Sequence, residues 1–158
     1  MKYLHRDLSE KVCSIDGELF ESEWNEQCEK FLNEFNKLSN RLPKEFLVEF
    51  RKKHFHDNTI NSILIERVPL KTKKHYTLKM ELQDYYDKNV VHCLTFTDVK
   101  DVKSDLSFGV FAGSCDWKYC EILAVDKKRL SLEVLLFSES TLYFEFSKLC
   151  YEKIKTNK

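Results

Sequence analysis

Three residues with metal-binding side chains lie close together about one third of the way along the chain. His54, His56 and Asp57 fall within four positions. Imidazole nitrogens and carboxylate oxygens bind zinc and similar ions, so this spacing allows a metal centre. A structural alternative is that a positively charged imidazole caps a helix C-terminus and Asp57 starts the following turn. The cluster therefore supports a small metal-dependent enzyme as an alternative function.

The cysteines give no stronger pattern for catalysis or metal binding. Cys115 and Cys120 form one loose pair, whereas structural zinc sites usually need two tight pairs. His92 and Cys93 are neighbours in a predicted strand, so their side chains point to opposite faces. We expect reduced cysteines that act as small apolar residues, and a hydrogen-bonded His92 in the core. Without a nucleophile elbow or a His-Glu-x-x-His motif, we predict no catalytic residue, no metal and no cofactor.

Charge is unevenly distributed, although 26 basic residues balance 26 acidic ones. Residues 16–34 contain seven acidic residues and one basic residue, which is a local charge of −6. Residues 67–79 contain five basic residues and no acidic one. The zero net charge excludes a uniformly basic nucleic-acid-binding protein. An acidic helical face would attract a basic partner; the alternative is an ordinary solvated face and a lysine-protected sheet edge.

Aromatic residues form the second group of candidate binding residues. Tyr85, Tyr86, Trp117 and Tyr119 lie near predicted turns or opposite the main apolar rows. Tyr and Trp are enriched at the centres of protein interfaces, whereas a sheet covered on both faces would bury them. The predicted partner-binding residues are these four aromatics and five carboxylates of the acidic segment: Glu18, Glu21, Glu23, Glu26 and Glu29.

The elements that must position these residues begin with helices. From Glu18 to Leu38 the large apolar residues recur every three or four positions, which predicts one face of a helix. A weaker pattern predicts a short helix from Asp7 to Ser14. A third helix is predicted from Pro43 to about His54, because proline is tolerated in the first helical turn.

From residue 57 the apolar period changes to alternation, which indicates strands. Short polar connections favour antiparallel hairpins. Asp98 to Asp105 is predicted as a loop or an edge, and the basic tail from Lys153 to Lys158 as frayed. The predicted strands are 59–68, 75–83, 89–97, 106–112, 119–125, 130–137 and 142–147. We therefore predict one α+β domain over residues 1–158, with helices in 1–56 and an antiparallel meander of six or seven strands in 57–154.

Composition bounds the location and the class of protein. No stretch approaches the ~20 apolar residues that span a bilayer, so we expect no membrane association. The N-terminal residues lack the apolar core of a signal peptide, so we expect a cytoplasmic protein. With three glycines in the whole chain, a glycine-rich phosphate loop is excluded.

Several short motifs resemble a family of small uncharacterised bacterial proteins. They comprise Met1-Lys2-Tyr3, residues 41–47, Phe55-His56-Asp57 with the isoleucines at 60, 63 and 65, residues 116–122 and 132–137, and Phe144-Glu145-Phe146. This resemblance implies a fold rather than an activity. The chain departs from the family in its six cysteines and its acidic helix.

The size and plan of the chain also resemble immunity proteins of bacterial toxin systems. That resemblance implies a non-enzymatic cytoplasmic protein that blocks a cognate toxin domain, for example a nuclease, through an acidic and aromatic surface. The expected partner is a protein, with no direct contact to nucleic acid. A homodimeric structural module is the remaining alternative, so both a monomer and a homodimer are open.

Overall fold

The computed structural model describes residues 1–14, 16–69, 74–106 and 115–156. Helices come first and antiparallel strands follow, which confirms the predicted α+β class. The helices are α1 (Arg6–Val12), α2 (Glu21–Asn36) and α3 (Lys44–Lys53), and a 3₁₀ turn (Gly17–Phe20) precedes α2. Within the described ranges, no helix has both the length and the apolar character that crossing a bilayer requires.

The helix predicted from Glu18 starts later, because the chain first turns tightly against α1. A Cβ atom at Gly17 would collide with the backbone carbonyl oxygen of Val12. Any side chain there would push the 3₁₀ turn away from α1. The regular helix then begins at Glu21 and buries Phe31 and Phe35, as the apolar spacing predicts.

The strands form two four-stranded antiparallel sheets. The first sheet has the order β1-β2-β3-β8 and the second the order β4-β7-β6-β5. The strands are β1 (Thr59–Pro69), β2 (Lys74–Gln83), β3 (Val90–Thr97), β4 (Lys100–Ser104), β5 (Trp117–Ala124), β6 (Leu130–Leu136), β7 (Thr141–Phe146) and β8 (Lys148–Lys155).

Two bends divide one long strand pair between these sheets. Two residues separate β3 from β4, and one residue separates β7 from β8. The antiparallel register continues across the bends, since Thr97 pairs with Lys148 and Lys100 pairs with Glu145. The sheets therefore share a corner at which both strands change direction together.

The predicted single meander of six or seven strands is wrong in number and organisation, because the described residues contain eight strands in two sheets. β4 is exposed along its whole length, as expected of an edge. β8 includes part of the tail predicted to fray. Along this strand only Leu149 and Tyr151 are shielded from solvent, so the alternation of apolar residues that would predict a strand is weak. Residues 107–112 of one predicted strand, and Lys71 and Lys73 of the basic segment, lie outside the described residues.

Phenylalanines of α3 anchor the core between the helices and the two sheets. Phe46 and Phe50 are almost completely buried, and their rings lie 5.3 Å apart. The ring of Phe35 from α2 stacks on Phe50 at 4.5 Å. Phe96 of β3 and Trp117 of β5 line the same interior, so α3 contacts both sheets. This packing fixes the end of α3 and the turn that follows it.

The shared corner of the sheets is held by one carboxylate, Asp98. Its side chain lies 3.0 Å from Nδ1 of His75, 2.6 Å from Nη2 of Arg129 and 2.7 Å from Oγ of Ser147. Asp98 has a positive φ of 55°, which Asp and Asn tolerate better than most residues. Partial burial opposes ionisation, but Ser147, Arg129 and His75 outweigh it, so the pKa of Asp98 is below its usual value.

Asp98→Asn is expected to lower the free energy of unfolding by about 2 kcal/mol at pH 7, because it removes a charge that accepts three hydrogen bonds. A depressed carboxyl pKa stabilises the fold above the unfolded pKa of about 4, and the gain is lost as pH falls through the folded value. The difference between wild type and variant should therefore shrink in acid. Urea unfolding at several pH values measures it.

The matched control for this substitution is Asp101→Asn, which also replaces an aspartate at positive φ (49°) but at an exposed position. We expect the control to change stability by less than about 0.5 kcal/mol. Equal losses for both variants, or a loss that does not depend on pH, would show that Asp98 does not hold the corner through its charge.

Candidate functional site

The five predicted carboxylates are all exposed. Glu18 lies in the 3₁₀ turn, and the other four lie along α2. Glu26 pairs with Lys30 at 2.7 Å. Among the described residues, Glu18, Glu21, Glu23 and Glu29 make no ion pair. Most of the acidic charge of this segment is therefore presented to solvent without a cation beside it.

The four predicted aromatics lie in different environments. Tyr85 and Tyr86 are 51% and 63% exposed in the β2–β3 turn, where their rings pack edge to face at 5.0 Å. Tyr119 is half-buried on β5. Trp117 is only 1% exposed, which is the buried alternative for this residue, and it presents almost no surface to a partner. A register shift between Trp117 and Tyr119 breaks the alternation and directs the indole into the core.

Four rings, of Trp24, Tyr119, His56 and Phe137, form a partly exposed row that we call the aromatic row. Trp24 of α2 lies 4.7 Å from Tyr119 of β5, measured between ring centroids. The His56 ring lies 5.5 Å from Tyr119 and 5.5 Å from Phe137. Phe137 is 43% exposed, and the other three are partly buried. The row joins residues from α2, the turn after α3, β5 and the end of β6.

The turn that carries His56 is fixed by its backbone. His54, Phe55 and Asp57 all have positive φ values, which reverse the chain after α3. The Asp57 N–H donates to the carbonyl oxygen of Trp117 at 2.8 Å, and the Trp117 N–H donates to that of Asn58 at 2.8 Å. Phe55 between them is buried. His56 is therefore held beside β5 rather than on a mobile loop.

The sequence-predicted cluster of His54, His56 and Asp57 does not assemble as a metal centre. His54 is the C-cap residue of α3, as the structural alternative predicts. Its ring packs 4.9 Å from that of Phe50, and burial lowers the pKa of His54. His56 instead faces the aromatic row, and its Nδ1 lies 2.9 Å from Oδ1 of Asp57. No group of three potential ligands positioned to hold a metal occurs in the described ranges.

A cavity of about 290 Å³, lined in part by His56, opens between α3 and the β2–β3 turn. Its walls include Phe55, Asn58, Tyr86 and His92, and lysines lie at its edge. We call it the α3 pocket. Because His56 contributes to both features, the aromatic row and the α3 pocket adjoin each other.

A hydrogen-bonded chain of Asp84, His92 and Tyr151 supports the wall of this pocket. Nε2 of His92 lies 3.0 Å from Oδ2 of Asp84, and Nδ1 lies 2.7 Å from the Tyr151 hydroxyl. Burial opposes ionisation of Asp84, but His92 and the N–H groups of Asp87 and Tyr86 outweigh it and lower the pKa of Asp84.

Burial also raises the pKa of the Tyr151 hydroxyl, which therefore stays protonated. The ionised Asp84 accepts from Nε2 of His92, and the other ring nitrogen of His92 is hydrogen-bonded to the Tyr151 hydroxyl. This arrangement confirms the prediction that His92 is a hydrogen-bonded core residue. Burial raises the pKa of Cys120 as well, in line with an unreactive thiol.

Sequence reasoning missed three residues of the aromatic row. Trp24 fits the apolar stripe of α2, and Phe137 fits the end of a strand, so both looked like core positions. His56 was grouped with a metal cluster. The available signal was that Phe137 ends its strand directly before the polar segment Ser138-Glu139-Ser140, where one side of a side chain stays open to solvent.

Comparisons with protein-family models, curated proteins and solved structures gave no match for this chain.

Proposed function

We propose that this protein is a non-enzymatic binding protein that neutralises a basic bacterial toxin domain by docking through the aromatic row and the acidic α2. The observation that carries the proposal is the aromatic row itself. Four rings that contact one another in series remain partly exposed, and backbone hydrogen bonds fix the turn of His56 against β5. Rigid, partly exposed aromatic side chains are the usual anchors of protein interfaces.

The surrounding charge supports a basic partner. Glu18 of the 3₁₀ turn and Glu21 at the start of α2 are close in sequence to Trp24, and neither forms an ion pair with a described residue. Lys118, whose ammonium group lies 6.0 Å above the Phe137 ring, is already paired with Glu139 at 2.7 Å. A nuclease toxin fits this surface, because a protein that holds nucleic-acid phosphates must itself be basic.

The first test is association with the product of the adjacent gene, made catalytically inactive and co-expressed with this chain. We expect a complex that survives gel filtration, and rescue of growth when the active toxin is expressed. Absence of a complex at micromolar concentration would contradict the proposal. The mass of the free chain in solution tests the homodimeric alternative, because a dimer that dissociates only on denaturation would favour a structural module.

Charge reversal on α2 is expected to slow association about tenfold at about 0.1 M salt, because electrostatic steering acts mainly on the on-rate. The variant is Glu23→Lys, Glu26→Lys and Glu29→Lys together. The difference from wild type should shrink at 1 M salt, where the screening length falls to about 3 Å. Stopped-flow or surface-plasmon kinetics with the inactive toxin domain provide the measurement.

The control for charge reversal changes the net charge equally on another surface. Glu66, Glu81 and Glu152 are exposed on the first sheet. At about 0.1 M salt their joint reversal to Lys should leave the on-rate within about twofold of wild type, because a screening length of about 10 Å confines steering to charges near the docking surface. Equal slowing by both triple variants would mean that net charge, rather than α2, steers the partner. An unchanged rate for the α2 variant would refute the acidic-face mechanism.

A further inference from the structure

The α3 pocket has the size of a small-molecule site. Its volume of about 290 Å³ is close to the ~300 Å³ at which ligand pockets begin. Phe55 supplies a buried apolar wall, and Tyr86 supplies an aromatic ring near the opening. A ligand with a small flat apolar body could contact both rings.

The acidic groups around the pocket already have partners. Glu49 accepts from Lys52 at 2.9 Å and from Lys153 at 3.3 Å. Asp84 accepts from His92 and from the backbone N–H groups of Tyr86 and Asp87. These carboxylates therefore have little capacity left to attract a cationic ligand.

Two hydrogen-bond donors of the pocket lining lack an acceptor among the described residues. Asn58 is 4% exposed, and its Oδ1 accepts from the Tyr85 N–H at 3.1 Å. Among the described residues, nothing accepts a hydrogen bond from its side-chain NH₂ group. The Lys53 ammonium lies 3.4 Å from the centroid of the Tyr86 ring, and it forms no ion pair with a carboxylate among the described residues. A ligand that supplies acceptor oxygens could pair with both of these donors.

We propose that the α3 pocket binds a small monocarboxylate with a flat apolar body. The carboxylate accepts from the NH₂ group of Asn58 and pairs with Lys53, while the apolar body packs against Phe55, with Tyr86 at the opening. A monoanion fits better than a phosphate dianion, because the three lysines of the lining are balanced by Glu49, Asp84 and Asp87. Asp84, His92 and Tyr151 are positioning residues, because the hydrogen bonds between them fix the wall of the pocket.

The test is titration of the isolated full chain with benzoate, followed by NMR chemical shifts and calorimetry. We expect saturable binding and shift changes in residues that line the pocket. Asn58→Asp keeps the acceptor for the Tyr85 N–H but replaces the donor by an acceptor, and it should weaken binding at least about tenfold. Lys53→Gln, at an exposed position, should weaken it about tenfold without affecting folding.

Two controls decide the outcome. Lys127→Gln removes an exposed lysine in the β5–β6 turn and should leave benzoate binding unchanged. Inorganic phosphate should bind at least tenfold more weakly than benzoate. No saturable benzoate binding, equal binding of phosphate, or equal losses for Lys53→Gln and Lys127→Gln would each overturn the proposal. Because no partner protein is present, these results are independent of the docking proposal.

Discussion

Phe50→Ala is expected to lower the free energy of unfolding by about 3–5 kcal/mol, as is usual for removal of a buried phenylalanine. Phe50 is 1% exposed, and its ring contacts those of Phe35, Phe46 and Phe55. The substitution would leave a cavity where α2, α3 and the turn after α3 meet. Small domains are stable by about 5–15 kcal/mol, so the loss is a large fraction of the total.

Val48→Ala is the matched control for Phe50→Ala, because it truncates an apolar residue on the same helix at a site that is 56% exposed. We expect it to change stability by less than about 0.5 kcal/mol. Urea unfolding followed by circular dichroism measures both variants. A loss below about 1 kcal/mol for Phe50→Ala would mean that α3 does not anchor the core.

The helices could be predicted from the sequence because their apolar spacing is long and regular. The stripe that includes Phe31 and Phe35 extends over several turns and is buried as expected. The start of α2 could not be predicted, since it depends on the contact between Gly17 and α1. Local spacing records which side of a helix is buried, but it does not record where another helix blocks the first turn.

The two-sheet arrangement could not be predicted because it depends on two bends that have no strong local signal. One bend occurs at Asp98, whose role is visible only when His75, Arg129 and Ser147 are brought around it. Alternation along each strand indicates which face is buried. It does not indicate that a strand leaves one sheet and enters another.

Only those candidate residues that lie in polar stretches of the sequence could be predicted to be exposed. The glutamates of α2 are exposed as expected, and so are Tyr85 and Tyr86. The burial of Trp117 could not be decided from the sequence, because a register shift cannot be read from alternation. The α3 pocket brings together residues from α3, β3 and the β2–β3 turn, and no short motif encodes that combination.

Phe137→Ala is expected to weaken association with the proposed toxin domain about 30-fold or more, as truncation of an interface hot spot typically does. Phe137 is 43% exposed in the free protein and contacts His56 at one end of the aromatic row. Its loss should raise the dissociation rate and leave the association rate nearly unchanged, because contact residues act mainly on the off-rate. Since the side chain is partly exposed, the stability of the free chain should change little.

The most direct measurement of the docking surface is therefore the dissociation rate of the complex for Phe137→Ala and for Val125→Ala. Val125 is also 43% exposed but lies beyond the end of β5, outside the aromatic row. We predict a dissociation rate raised about 30-fold for Phe137→Ala and within about twofold of wild type for Val125→Ala. Unchanged dissociation of the Phe137→Ala complex, or equal increases for both variants, would contradict docking through the aromatic row.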